Sequence, residues 1–355
     1  MRPRSNLMVC AASSATSKLL MQRSHTSAKK SSTSRRCSAK SLNGSNSFMI
    51  PPASKKTTHF SCLLCRQERS GATISPVMRD ADAPVVQCST CKLVQIGSIP
   101  SALELDTFYD QGKQAGNIGV SVDIDNLWTR QKDDTLRRVN RAATLIPKGS
   151  RVLDIGSGYG FFLREMKKKG YKIDGIEVSD LSRAISAKVA KVAVHDIDIA
   201  TASAGEIAKL GTFKLITMFH CLEHIPDPIS FLKRVRTLLT KGGKLLIEVP
   251  NIDDAMLDLS DPYRSFYWQF AHCSYFNAKT LSITLRKAGF KHVVASHTQR
   301  YGIENMMAWI VAGKPQLGSP SYSTSTTGLK GLEEWYKKDR IKSGKADTLL
   351  TVARV

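Results

Sequence analysis

The sequence predicts an α/β fold, an open sheet with helices on both faces, preceded by a small cysteine-based module. Three observations carry this expectation. Arg151–Leu163 reads as strand, glycine turn and helix. Val152, Leu153 and Ile155 form a short apolar run, and Gly156, Gly158 and Gly160 follow at every second position. Phe161, Phe162, Leu163 and Met166 then fall on one side of a helix that stops at Gly170. From Gly149 onward, strand-like and helix-like stretches alternate, the mark of a mostly parallel sheet. Ahead of them stand two C-x-x-C pairs, Cys62/Cys65 and Cys88/Cys91, with 22 residues between.

In chain order, residues 1–58 are rich in Ser, Thr, Lys and Arg and show no lasting apolar period, which predicts a disordered basic tail. The first 60 residues hold eleven Lys/Arg and no acid, half of the net charge of +22. Such a start also fits an organelle transit peptide, or an upstream extension ahead of translation from Met49. No apolar run reaches membrane-spanning length, which argues against a transmembrane protein. The four paired cysteines follow metal arithmetic, not a disulfide framework, and imply a reducing compartment, the cytoplasm or an organelle matrix. Over 59–100 they predict a zinc ribbon whose closed four-thiolate site is structural, with strands at Val85–Gln87 and Lys92–Val94.

Residues 101–148 are expected to form a helical linker and cover. Ser101–Glu104 reads as a capping box opening a helix to Tyr109, and a longer helix spans about Asp125 to Leu145. The core, 149–300, then runs strand Arg151–Asp154, strand Lys172–Val178, helix Leu181–Ala190, strand Val192–Val194, helix Ala202–Leu210 and strand Phe213–Phe219. Asp227 caps and Pro228 starts a helix to about Leu239, stopped by Gly242-Gly243. Strand Lys244–Val249, a helix over Lys279–Ala288 capped by Asn277, and strand His292–Ser296 complete it. Over 301–355 the reading is a helix at Ile303–Gly313, a Ser/Thr/Gly loop at Gly318–Gly328, a charged helix at Leu332–Ile341 and a strand at Thr348–Arg354.

Asp154 ends the first strand, where open α/β sheets bind ligands. Glu177 closes the second, about twenty residues past the glycines, at a distance suited to two ribose hydroxyls. On Asp154–Gly160 and Glu177 the sequence resembles the class I S-adenosylmethionine-dependent methyltransferases. The resemblance implies a Rossmann-like, seven-stranded sheet whose final antiparallel strand, Thr348–Arg354, inserts between strands five and six. It implies S-adenosylmethionine held by Asp154, Gly156, Gly158, Gly160 and Glu177, with Asp196 at the adenine and Phe219 and His220 along the methionine.

The stretch Phe219–Pro228, FHCLEHIPDP, resembles the segment after strand four of small-molecule methyltransferases, whose Leu222–His224 equivalents face the substrate. Tyr263–Phe276 packs seven aromatics into fourteen residues, either as core or as the wall of an acceptor pocket. His272 and Tyr275 could share one helical face or turn, and an imidazole titrates where proton removal is useful. With the cysteine module, this stretch resembles zinc-ribbon-bearing sugar methyltransferases of surface-polysaccharide pathways. The likeness departs at Gln269-Phe270-Ala271-His272, where carbon methylators carry a Tyr-x-Glu-His-like cluster. The expectation is therefore methyl transfer to a sugar or sugar nucleotide, at oxygen rather than carbon, with His272 and then His224 as base. Two alternatives stay open, an RNA base methyltransferase and a non-catalytic cofactor-binding scaffold. The absence of an Asn/Asp-Pro-Pro-Tyr-like motif after strand four argues against the first, and the presence of Asp154, Gly156, Gly158 and Glu177 argues against the second.

Overall fold

The computed structural model describes residues 57–100, 104, 123–316 and 327–355. The basic tail, the capping box with its helix to Tyr109, and most of the 318–328 loop lie outside the described residues. Two sheets organise the rest. The first is built by β1 (Thr57–Cys62), β2 (Gln67–Ser75), β3 (Val85–Cys88) and β4 (Val94–Ile96). The second holds β5 (Arg151–Ile155), β6 (Lys172–Ile176), β7 (Val194–His195), β8 (Phe213–Phe219), β9 (Leu239–Pro250), β11 (Lys291–Thr298) and β12 (Thr348–Arg354). Its order is β11-β12-β9-β8-β5-β6-β7. β12 runs antiparallel between β9 and β11, and the other neighbours pair parallel, as the resemblance implies.

The helices that cover this sheet follow from local signals. α1 (Ile124–Ala143) is capped by Asp123, which accepts from the Asn126 amide, and it buries Asp134, Thr135, Val139 and Ala142. α2 (Phe161–Lys168) buries the apolar set read from the sequence. α3 (Asp180–Ala190) starts on a Ser179 cap, and α4 (Ala204–Lys209) on a full capping box at Ser203 and Glu206. α5 (Pro228–Thr237) starts with proline behind an Asp227 cap. After β9 come α6 (Met256–Leu259), α7 (Asp261–Tyr267), α8 (Ala278–Lys287), α9 (Ile303–Ala312) and α10 (Thr327–Lys342).

Several boundaries differ from expectation, and four of them bear on the site or the module. Gly242 and Gly243 do not stop a helix. α5 ends at Thr237, and β9 begins at Leu239 and passes through both glycines. Gly242 takes a left-handed φ of 68°, and the β8–β9 register jumps there from Phe213↔Leu239 to Leu215↔Lys244, so the glycines absorb an irregularity in the ladder. β7 is Val194–His195, two residues later at its start than read. β4 starts at Val94 because Lys92, at φ 65°, is still in the turn after Cys91. His272 and Tyr275 share no helix: Ser274–Tyr275 is a strand, β10.

The position of β10 changes the organisation of the chain. It pairs antiparallel with β4, giving a five-stranded sheet β1-β2-β3-β4-β10. The cysteine segment thus shares its ladder with a strand from the other end of the core. Most of the aromatic stretch packs on the same segment. Tyr267, Trp268 and Tyr275 are buried with Met78, Val85, Val94 and Ile96. Those rings act as core, not as the lining of an open pocket.

Candidate functional site

In the main sheet the strand order reverses between β5 and β8, the point where open α/β sheets receive a ligand at their carboxyl ends. The glycine turn lies there. Gly156, Gly158 and Gly160 all have positive φ, 77°, 53° and 79°. A Cβ on Gly160 would stand 2.7 Å from the Ser186 carbonyl oxygen, so a larger residue there would clash as well as strain the backbone. The amides of Gly156 and Ser157 donate to the Ile176 carbonyl at 2.8 and 3.0 Å, locking the turn to β6.

Glu177, next after β6, accepts from the Gly158 amide at 2.9 Å and the Ser179 amide at 3.0 Å. The structure thus brings Glu177 and Gly158 into direct contact. Burial pushes the Glu177 carboxyl up to about 8, against the pull of those two amides. Asp154 faces its neighbour strand instead: it accepts from the Thr217 hydroxyl at 2.6 Å, and burial pushes it up to about 7. Its carboxyl is engaged within the sheet rather than presented to a ligand. Asp196 is exposed and pairs with Arg183 at 3.2 Å. Arg183 also donates to the carbonyls of Glu177 and Val178, so Asp196 lies along the same edge.

Phe219 packs edge-on against Phe162, with the Arg138 guanidinium over its ring. His220 adopts a left-handed φ of 55°, uncommon for a residue with a side chain, and its amide donates to the Glu248 carbonyl at 2.8 Å. Its ring sits in a network absent from the sequence reading. Glu248, fully buried, is held by Arg137 at 2.8 Å and Arg138 at 2.9 Å, with His220 Nε2 at 3.3 Å. Arg300 reaches His220 Nε2 at 2.9 Å and Asp134 at 2.6 Å. Burial opposes ionisation of Glu248 and Asp134, but the guanidinium groups overcome it and hold both carboxyls below the usual range. Arg137 keeps one more buried donor, Nη1, without a partner among the described residues. The legible trace of this network was Glu248 itself, a lone acid inside the apolar run Leu245–Val249.

Beyond β8, the 3₁₀ turn Leu222–His224 approaches the loop before β10. The His224 ring meets the His272 ring edge-on at 4.8 Å, and His272 meets Tyr275 at 5.6 Å. The structure therefore unites the two histidines that the sequence reading singled out. His224 Nδ1 bonds the Ala271 carbonyl at 3.0 Å. Burial lowers both imidazoles, His272 the more strongly, with help from His224 and Arg79. Glu223 adds a buried carboxylate neither of whose oxygens has a hydrogen-bond partner among the described residues, and His272 Nδ1 likewise has none. Ligating atoms of Glu223, His224 and His272 lie within 4.8 Å of one another, close enough to take one cation.

The four thiols form a second group with mutual separations within 4.8 Å. Cys62 and Cys91 stand 3.5 Å apart, and Cys65 and Cys88 3.9 Å. A tetrahedral zinc with sulfur at about 2.3 Å asks for sulfur pairs near 3.8 Å, so this donor set fits that ion. The Cys62–Cys91 hydrogen bond draws the Cys62 thiol down and pushes the Cys91 thiol up, so the pair shares one proton.

Residues 127–295 match the family model described as a methyltransferase domain. The chain is 29% identical over 121 residues to a ubiquinone biosynthesis O-methyltransferase from Xanthomonas axonopodis pv. citri, covering 34% of this chain and 51% of that protein. It is 32% identical over 105 residues to the protein of the same description from Nitrosococcus oceani, covering 29% and 44%. The chain thus spans about half the length of the curated relatives it matches. A solved structure described as a SAM-dependent methyltransferase from Archaeoglobus fulgidus aligns over 66% of this chain and all of that one, with a TM-score of 0.45 and 18% identity. Among the described residues no helix is long and apolar enough to cross a membrane.

Proposed function

We propose that this protein is an S-adenosylmethionine-dependent methyltransferase that methylates a hydroxyl of a small molecule. The observation that carries the reading is the contact of buried Glu177 with the glycine turn at the sheet's reversal point. When bound, the cofactor supplies an electrophilic methyl group. The chain's part is to bind, orient and take up one proton in a site shielded from water. Glu177 accepts the two ribose hydroxyls, and Gly156, Gly158 and Gly160 allow the backbone to approach. Asp196 serves the adenine edge. The spare Nη1 donor of Arg137, which shares Glu248 with His220, suits the carboxylate of the methionine part. Asp154 holds the end of β5 through Thr217.

On the acceptor side His272 is the base and His224 its neighbour. Burial favours the neutral form of both imidazoles, as proton acceptance requires, and the Glu223 charge favours the protonated form of His224. The relatives' printed activity, O-methylation in ubiquinone biosynthesis, supports oxygen as the methylated atom and a small-molecule acceptor. A sugar acceptor finds no such support. Cys62, Cys65, Cys88 and Cys91 hold a structural zinc ion.

A second reading of the acceptor side rests on Glu223, whose carboxylate makes no hydrogen bond among the described residues and has His220 Nδ1 3.4 Å from Oε1, and on His272 Nδ1. With His224 they would hold a divalent cation that lowers the pKa of a bound acceptor hydroxyl. The deciding experiment incubates the full chain with methyl-labelled S-adenosylmethionine and either a catechol or a nucleotide sugar. Measurements with and without added Mn²⁺ then separate the two readings. Label in the catechol supports the proposal. Label in neither, with no cofactor bound by calorimetry, defeats it.

A further inference from the structure

The cysteine module touches the acceptor side at several separate points. β4 pairs with β10, Ser274 opposite Gln95 and Tyr275 opposite Val94, and the Ile96 amide donates to the Cys273 carbonyl at 3.2 Å. Asp80, in the loop between β2 and β3, accepts from the Phe270 amide at 2.8 Å. The Arg79 amide donates to the Trp268 carbonyl at 3.2 Å, and its guanidinium to Gln269 at 2.9 Å. His272 lies between these anchors, and its neighbour Ala271 bonds His224.

Within the module, the same strand is tied to the thiols. The Cys88 amide donates to the Leu93 carbonyl at 2.9 Å, closing the turn that leads into β4. Buried Gln95 accepts from the Leu63 amide at 2.9 Å and donates to the Ser61 carbonyl at 3.0 Å. Both C-x-x-C turns therefore converge on β4. Among the described residues the module's strands share no ladder with the sheet that carries the glycine turn, and they meet it through side chains alone, Cys62, Leu64 and Cys88 joining the apolar cluster of Leu153 and Ile155.

We propose that the four-cysteine module positions the acceptor-side histidines, fixing His272 against His224 through the β4–β10 ladder and the Asp80–Phe270 bond. Its thiolate site is then a support for the acceptor half, and losing it loosens that half while the cofactor half stays formed. Asp80 and Gln95 are positioning residues, acting on His272 through the backbone. This deepens the reading above, in which His272 faces the acceptor.

The test uses the full, zinc-loaded chain and two variants of different severity. In Cys88→Ser, amide exchange over 268–276 should accelerate at least tenfold and the ring signals of His272 and His224 should shift in nitrogen-resolved spectra. Exchange over 151–163 and S-adenosylmethionine affinity should stay within twofold. Asp80→Ala should keep its zinc and move the same ring signals, and Asp80→Asn, which retains an acceptor for Phe270, should restore them. Unmoved His272 signals in Asp80→Ala would overturn the proposal. So would equal loss of protection in both halves of Cys88→Ser, since the module would then support the whole fold. Failure of the wild-type chain to bind S-adenosylmethionine would instead defeat the functional reading, because the histidine signals do not depend on it.

Discussion

The two sides of the candidate site are built in different ways. The centre of the cofactor side comes from one continuous stretch, 151–177, in which strand, turn, helix and strand bring Gly158 and Glu177 together. The acceptor side comes from three distant stretches. The 222–224 turn, the 268–276 loop and the 78–96 part of the cysteine module meet around His272. Backbone amides and glycine dihedrals shape the first. Packed rings and a shared ladder shape the second. A site built from local chain tolerates changes elsewhere, whereas an assembled one depends on every segment that frames it.

The largest expected effect separates the two sides. His272→Ala should lower turnover by about 10²–10⁴ while cofactor affinity stays unchanged. Paired rate and calorimetry measurements check this, and an unchanged rate per folded molecule would make His272 a packing residue. On the other side, Glu177→Ala removes two charge-assisted hydrogen bonds and should weaken cofactor binding by about 100-fold. Gly158→Val should weaken it at least as much. Wild-type affinity in both variants would refute the cofactor assignment.

Next in size is the buried ion network. Glu248→Ala leaves Arg137 and Arg138 buried without their shared partner and should cost about 3–5 kcal/mol in chemical denaturation.

The acid at the glycine turn and the buried ion network should respond to pH with opposite sign. Glu177 lies raised near 8 in the folded chain against an ordinary 4.5, so it lowers stability as pH rises from 4.5 toward 8. Glu248 and Asp134 are depressed, so their contribution is present above the ordinary carboxylate range and lost as pH falls through their folded values. Cofactor hydroxyls bond the ionised Glu177. Affinity should therefore fall below pH 8 by at most about tenfold per unit, with proton release visible in buffers of different ionisation enthalpy. A flat profile between pH 6 and 9 would contradict the raised carboxyl. The smallest effect is expected at Asp196, exposed and paired with Arg183. Asp196→Ala should change cofactor affinity by only about threefold, as exposed charges contribute little.

By itself the sequence determined whatever depends on local chain. Alternating apolar runs and glycine stops placed the helices and strands of the main sheet to within a few residues, and the C-x-x-C spacing marked the thiols that the fold brings within 4.8 Å. The glycine turn and Glu177 were legible because their separation is set by one β-α-β unit. The sequence also marked His224 and His272 singly, as imidazoles next to strand ends, without showing that their rings touch. Tertiary structure alone decided the rest. It joined Asp134, Arg137, Arg138, Glu248 and Arg300 across three elements, since charges far apart in sequence give no periodic signal until the chain has folded. It turned Asp154 toward Thr217 and made the aromatic stretch core. It also gave β10, two residues long, to the cysteine module's sheet, because so short a strand is defined by its partner and not by its own residues.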